Sequence, residues 1–149
     1  MARVKFELPP QLAFTTEVQV QFSQINVGNH LDNVQMLTFF TEGRVRFLRW
    51  LGYSERDVEG LSIPVGDLVV QYVTEGFYGE TLLVHVHVGD FNKYGFDMIF
   101  QITEKTSGRE IARGKTGMVF LNRETRKVTP VPEGFVQRLR QRGIIAEPS

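Results

Sequence analysis

The chain is 149 residues long, with 17 lysine or arginine side chains against 17 aspartate or glutamate, a net charge of zero and no cysteine. One domain, 1–149, fits that length, and a 42% hydrophobic content supplies more core than a disordered chain carries. The composition excludes disulfides, thiolate metal sites and a cysteine nucleophile, and zero net charge removes any overall attraction to nucleic acid or an anionic membrane.

The N-terminus MARVKFELPP holds no apolar stretch of signal-peptide length, and nowhere do about 18 apolar residues run together. A soluble, cytoplasmic domain is expected. Pro9-Pro10 ends an irregular N-terminal arm. From Phe14 to Phe22, Val18, Val20 and Phe22 alternate with Glu17, Gln19 and Gln21, a period of two that predicts a strand with one wet face. Asp32 to Gly52 carries the one long helical pattern. Asp32 is placed to cap it, Gln35 to complete a capping box and Gly52 to stop it. At ~100° per residue, Met36, Leu37, Phe40, Phe47, Leu48 and Leu51 share one arc, with Phe39 and Trp50 roughly opposite. A helix apolar on more than one side is enclosed by the rest of its fold. Arg44 falls inside the apolar arc, where a guanidinium needs a carboxylate. It is expected in a structural ion pair or a subunit contact.

After a loop with Gly60, Pro64 and Gly66, strands are predicted at Leu68–Thr74, Thr81–Phe91, Gly95–Glu104 and Glu110–Leu121. Short connections make these antiparallel neighbours. His85 and His87 share one strand face, opposite Val84, Val86 and Val88, without a third ligand at useful spacing. They are expected to face solvent or an interface, with no metal. Val131 to Arg142 predicts a short basic helix. Strand, long helix and four strands make an α+β fold, one antiparallel sheet wrapped around one apolar helix. Its outer face and edges still need cover, which predicts a homodimer or homotetramer.

The stretch from Phe22 to Val34 joins the first strand to the helix. Its polar side chains crowd the place where unpaired backbone N–H groups and the positive end of the helix dipole point outward. A main-chain N–H there can hold an oxyanion, and Asn26 and His30 can orient or deprotonate a water. Asn, Gly and Asp are also ordinary turn and cap residues, so residue types alone leave both readings open. No P-loop, Rossmann glycine fingerprint or Gly-x-Ser-x-Gly elbow occurs.

Gln24-Ile25-Asn26-Val27-Gly28-Asn29-His30-Leu31-Asp32-Asn33, followed by Phe40-Thr41-Glu42-Gly43-Arg44-Val45-Arg46-Phe47-Leu48, resembles the hotdog-fold acyl-CoA thioesterases, in their 4-hydroxybenzoyl-CoA thioesterase-like branch. In the loop it is also similar to plant acyl-ACP thioesterases. The resemblance implies hydrolysis of an acyl-CoA or acyl-ACP thioester to free acid and thiol, without a metal or organic cofactor. It sets Asn26 where the family has its catalytic aspartate, and an amide is no carboxylate base. His30 matches the catalytic histidine of the acyl-ACP enzymes, and the N–H near Asn33 matches the oxyanion donor. Some hotdog thioesterases carry their carboxylate on the helix, and Glu42 is the candidate for it. Glu42 also has Arg46 as an i+4 partner, which favours an exposed ion pair.

Phe39, Phe40, Tyr72 and Phe77 are the candidates to line an acyl tunnel between the helix and a neighbouring subunit. Two other functions compete: a non-catalytic hotdog protein that binds acyl thioesters, and an enoyl-thioester hydratase, whose family pattern wants an aspartate followed by Asn-Pro-x-His. The zero charge is itself a cancellation. Residues 1–104 hold 7 basic and 13 acidic side chains, and residues 105–149 hold 10 and 4. Arg113, Lys115 and Arg123 belong to that basic excess and are candidates to receive the phosphates of coenzyme A; a solvated strand face is the alternative.

Overall fold

The computed structural model describes residues 4, 5 and 7–146. In chain order it contains β1 (Phe14–Gln19), a 3-10 turn (Phe22–Gln24), α1 (Met36–Trp50), β2 (Val65–Tyr72), β3 (Thr81–Gly89), β4 (Gly95–Glu104), β5 (Glu110–Val119), the short β6 (Leu121–Asn122) and β7 (Lys127–Val128), and α2 (Glu133–Gln141). β1 stops short of Phe22 because the chain turns there, with Gln21 N–H donating to Gln24 Oε1 at 2.8 Å. β5 ends at Val119, and Phe120 N–H donates to the Tyr94 carbonyl at 2.9 Å, one step beyond the last β4–β5 pair, Gly95 with Val119.

The helix begins at Met36, four residues later than the sequence pattern predicts. Asp32 still organises its start. The Asp32 Oδ2 accepts the N–H groups of Val34 and Gln35 at 3.0 and 3.3 Å, and its carbonyl accepts Met36 N–H at 3.0 Å. Gln35 forms no capping box with Asp32, because the Asp32 N–H is held by the Gln24 carbonyl at 2.9 Å. At the other end Gly52 has φ +93°, and Gly52 and Tyr53 N–H return to the Arg49 and Leu48 carbonyls at 2.9 and 2.8 Å. That pair of bonds is a Schellman stop.

Met36, Phe39, Phe40, Gly43, Arg44, Phe47 and Leu48 are all buried, a stripe at alternating steps of three and one. Phe39 and Leu48 lie on opposite flanks of α1 and neither is exposed, so the helix is enclosed as expected. Trp50 is the exception. It is 42% exposed, lying against Phe14 at 5.4 Å and under the Arg142 guanidinium at 4.5 Å. Two glycines set the distance between helix and sheet. A Cβ on Gly43 would stand 2.6 Å from Val84 Cγ1, and one on Gly114 would stand 2.6 Å from the Phe40 ring. Arg44 is 8% exposed and its Nε donates to Glu55 Oε1 at 2.9 Å, the ion pair its position demands.

The sheet runs β1-β3-β4-β5-β2, with every neighbouring pair antiparallel. This corrects one expectation: β2 does not pair with β3 but forms the far edge beside β5. The connection Val73–Glu80 reaches ~26 Å when extended, and three strand spacings need only ~14 Å. A short loop therefore permits a crossover as readily as a hairpin. Leu82, Val84, Val86, Phe96, Met98, Phe100 and Ile102 face α1 as the core.

The outer face is partly covered by the chain itself. His87, 6% exposed, donates from Nδ1 to the Gln11 carbonyl of the N-terminal arm at 2.9 Å. His85 lies between Thr15 Oγ1 and Thr103 Oγ1, at 3.0 and 2.9 Å. Both imidazoles are pushed below the usual histidine range by burial. The C-terminal helix sets Phe135 against Phe96 and Phe120, with ring centroids at 5.1 and 5.4 Å, while Arg138 Nη1 caps the Leu51 carbonyl at the end of α1.

Candidate active site

The loop between the 3-10 turn and α1 is tied by its own polar groups. Asn26 N–H donates to the His30 carbonyl and Asn29 N–H to the Asn26 carbonyl, each at 3.0 Å. Gly28 N–H donates to Asn26 Oδ1 at 2.9 Å. Asn29 takes φ +62°, a conformation that asparagine tolerates. The Asn26 side-chain oxygen thus closes an Asx turn, a structural task.

The crossover from β2 to β3 passes directly over this loop. Leu31 N–H donates to the Gly76 carbonyl at 2.7 Å, and Arg109 Nη2 holds the Glu75 carbonyl at 3.1 Å and the Glu80 carboxylate at 2.9 Å. Loop and crossover enclose a cavity of about 290 Å³ whose lining includes His30, Asn33, Met36, Tyr72, Val73 and Glu75. The His30 Nδ1 lies 3.1 Å from the Leu31 carbonyl. A carbonyl only accepts, so Nδ1 carries the hydrogen and Nε2 of the neutral ring keeps its lone pair. Nε2 stands 3.7 Å from Glu75 Oε1.

Asn33 contributes to the lining of the cavity. Its carbonyl accepts the Tyr72 hydroxyl at 2.6 Å. Its N–H has no acceptor among the described residues, whereas the next two N–H groups belong to Asp32. Such a donor, in the turn that leads into α1, suits a developing oxyanion. Burial, and then the charge of Asp32, hold the Tyr72 hydroxyl above the usual phenol range, so it stays a protonated donor.

The structure brings His30, Asn33 and Tyr72 together in the lining of one cavity, keeps Asn26 beside His30 in the loop, and places the other candidates elsewhere. Phe39 and Phe40 are core residues, the latter stacked on Phe100 at 5.1 Å. Phe77 lies under the Arg109 guanidinium at 5.9 Å. Glu42 pairs with Arg46 Nε at 3.0 Å, in a different groove of about 520 Å³ between β1 and α1. The Arg46 Nη1 also donates to Thr16 Oγ1 and the Glu17 carbonyl at 2.8 and 2.7 Å, which ties the helix to β1. On the outer sheet face Arg113 Nε meets Glu110 Oε2 at 2.8 Å and Lys115 Nζ meets Asp97 Oδ2 at 3.2 Å. Burial raises the Asp97 carboxyl and its hydrogen bond to Lys115 works against that. Arg123 is exposed in the turn between β6 and β7. Arg113 borders a groove of about 430 Å³ that shares Val73 with the cavity. Glu75 went unread in the sequence, because no local pattern connects it to His30.

Residues 20–139 match the sequence profile of the thioesterase-like superfamily. Over 86 residues the chain is 28% identical to the Bacillus subtilis (strain 168) protein named "Putative acyl-CoA thioesterase YneP". That match spans 56% of this chain and 61% of the relative's length. Among solved structures, Slr0204, a 1,4-dihydroxy-2-naphthoyl-CoA thioesterase from Synechocystis, superposes with a TM-score of 0.77 at 21% identity, covering 85% of this chain and 94% of that one. The DHNA-CoA thioesterase of Staphylococcus aureus gives a TM-score of 0.73 at 24% identity, covering 89% and 95%. At such identities the likeness is one of fold, and the fold is the hotdog arrangement that the loop and helix resembled. With most of its length inside the family profile, the chain belongs to the thioesterase-like superfamily.

Proposed function

We propose that the protein hydrolyses an acyl thioester, carried on coenzyme A or acyl carrier protein, to the free acid and the thiol. The observation that carries this reading is the His30 ring. Its Nδ1 is tied to the Leu31 carbonyl, and the residue lines a cavity that Asn33 lines as well. His30 Nε2 takes a proton from a water as the water oxygen attacks the thioester carbon. The Asn33 N–H receives the oxyanion, and the thiolate leaves with the proton from Nε2. Tyr72 fixes the Asn33 peptide, Met36 and Val73 give the acyl group an apolar wall, and Asn26 holds the turn. No step requires a metal or an organic cofactor. Among the described residues no cluster is arranged to hold a metal ion, and no helix is long and apolar enough to cross a membrane.

Glu42 is placed by this reading in a supporting role, through Arg46, rather than as the base. Arg113, Lys115 and Arg123 remain the candidates for the coenzyme phosphates, the first across the Val73 wall. The working form is a homodimer or homotetramer in the cytoplasm. Support for assembly comes from β2, an edge strand whose Val65, Leu68 and Tyr72 are at least 40% exposed.

Thiol release from a panel of acyl-CoAs, with an enoyl-CoA absorbance control, tests the proposal. Turnover in the wild type and its loss in His30→Ala support it. Loss of enoyl absorbance without thiol would make the protein a hydratase, and tight binding without turnover a carrier. Turnover unchanged in His30→Ala would remove this mechanism.

A further inference from the structure

The loop of this protein lacks a carboxylate at the position of Asn26, yet the cavity contains one. Glu75 is the only acidic side chain in its described lining. It is brought there by the crossover rather than by the loop. The bond from Leu31 N–H to the Gly76 carbonyl joins the two segments one residue beyond His30 and one beyond Glu75. Both side chains line the same cavity, and His30 Nε2 and Glu75 Oε1 come to 3.7 Å. The two segments are in contact there, since a Cβ on Gly76 would stand 3.4 Å from Leu31 Cβ. The Arg109 side chain fixes the crossover from the other side through the Glu75 carbonyl and Glu80.

The geometry points to Glu75 as the positioning carboxylate of His30, supplied by the β2–β3 crossover in place of a loop aspartate. This rests on the hydrolysis reading above and deepens it. When Nε2 takes the proton from water, the positive charge that the ring acquires stands beside the Glu75 carboxylate. The carboxylate stabilises the imidazolium while the tetrahedral intermediate stands, and the proton then goes from Nε2 to the departing thiolate. Because the carboxylate matters only once His30 is charged, it acts on the transition state more than on substrate binding.

Steady-state kinetics on an acyl-CoA that the wild type hydrolyses test this with Glu75→Gln, Glu75→Asp, His30→Ala and the double variant His30→Ala/Glu75→Gln. The expected result is a kcat at least about tenfold lower in Glu75→Gln with KM within about twofold. Partial recovery is expected in Glu75→Asp, with no further loss when Glu75→Gln is added to His30→Ala. Thermal unfolding of Glu75→Gln checks that the crossover stays in place. An unchanged kcat in Glu75→Gln overturns the role, as does an equal loss on the His30→Ala background or a change confined to KM. A wild type that releases no thiol overturns the hydrolysis reading and this role with it. A wild type that turns over while Glu75→Gln does so equally well overturns this role alone.

Discussion

The Arg44–Glu55 pair gives an asymmetric prediction for stability. Arg44 sits mid-stripe on α1 with its side chain 9% exposed, while the Glu55 side chain is 34% exposed. At 2.9 Å and an effective dielectric near 20, the attraction is about 6 kcal/mol before desolvation is subtracted. Removing one partner of a fully buried pair costs about 3–5 kcal/mol, because the other charge is left stranded. In Glu55→Ala the stranded group is the guanidinium, and the partial exposure of the site lets water reach it. The expected loss is therefore about 2 kcal/mol, somewhat below the fully buried range. For a domain of this size that lowers the melting temperature by about 4–8 °C. In Arg44→Met the charge itself goes, a long apolar side chain fills the stripe, and Glu55 turns to solvent. That variant should lie within about 1 kcal/mol of wild type. Urea denaturation at neutral pH measures both. Equal destabilisation of the two variants, or an unchanged Glu55→Ala, would refute the argument from a stranded charge.

Gly28→Ala should lower kcat by about tenfold with the melting temperature nearly unchanged, since its Cβ would stand 3.1 Å from His30 Nε2 and displace the ring. Thiol-release kinetics beside a thermal melt decide it. Arg113→Glu, Lys115→Glu and Arg123→Glu should each raise KM for an acyl-CoA by about threefold and leave KM for the matching acyl-pantetheine unchanged. Equal shifts for both substrates would remove the phosphate assignment. For His85 and His87 the folded values lie below the ordinary one, so the unfolded chain binds more protons in acid. Stability is intact above the ordinary histidine value near ~6.5 and falls as pH drops through it toward the folded values. Urea midpoints from pH 7.5 to 5.5 follow this, and His87→Gln, which keeps a donor for the Gln11 carbonyl, should flatten the slope.

What the sequence revealed depended on how local each cause was. The buried stripe of α1, the stop at Gly52 and the span of β4 follow from side-chain periodicity and one glycine, and these were legible. The start of α1 was misplaced because Asp32 caps a turn that leads into the helix, with its own N–H spent on Gln24. The edge position of β2 was not legible, since loop length alone does not separate a hairpin from a crossover. Glu75 inherits the same blindness: its meeting with His30 exists only because that crossover passes over the loop. His30 and Asn33 were singled out from one short segment ahead of the helix, and the structure sets both in the lining of one cavity. Phe39 and Phe40 were read as tunnel lining from residue type, while their place on the helix stripe makes them core.

The charge cancellation has a structural meaning as well. Lys105 pairs with Glu17 at 2.8 Å, Arg109 with Glu80 at 2.9 Å and Lys115 with Asp97 at 3.2 Å. Each joins a base after residue 104 to an acid before it. The basic excess of the C-terminal third is thus partly consumed where β5 and its approach fold back against the acidic part of the chain. A polyanion meeting the outer face would find Lys115 and Arg109 already neighboured by carboxylates, whereas Arg123 in the β6–β7 turn is exposed. Of the bases around β5, Arg109 has instead become part of the frame of the cavity, because the guanidinium that pairs with Glu80 is the one that fixes the Glu75 carbonyl. A pairing that serves charge balance along the chain therefore also positions the crossover on which the cavity depends.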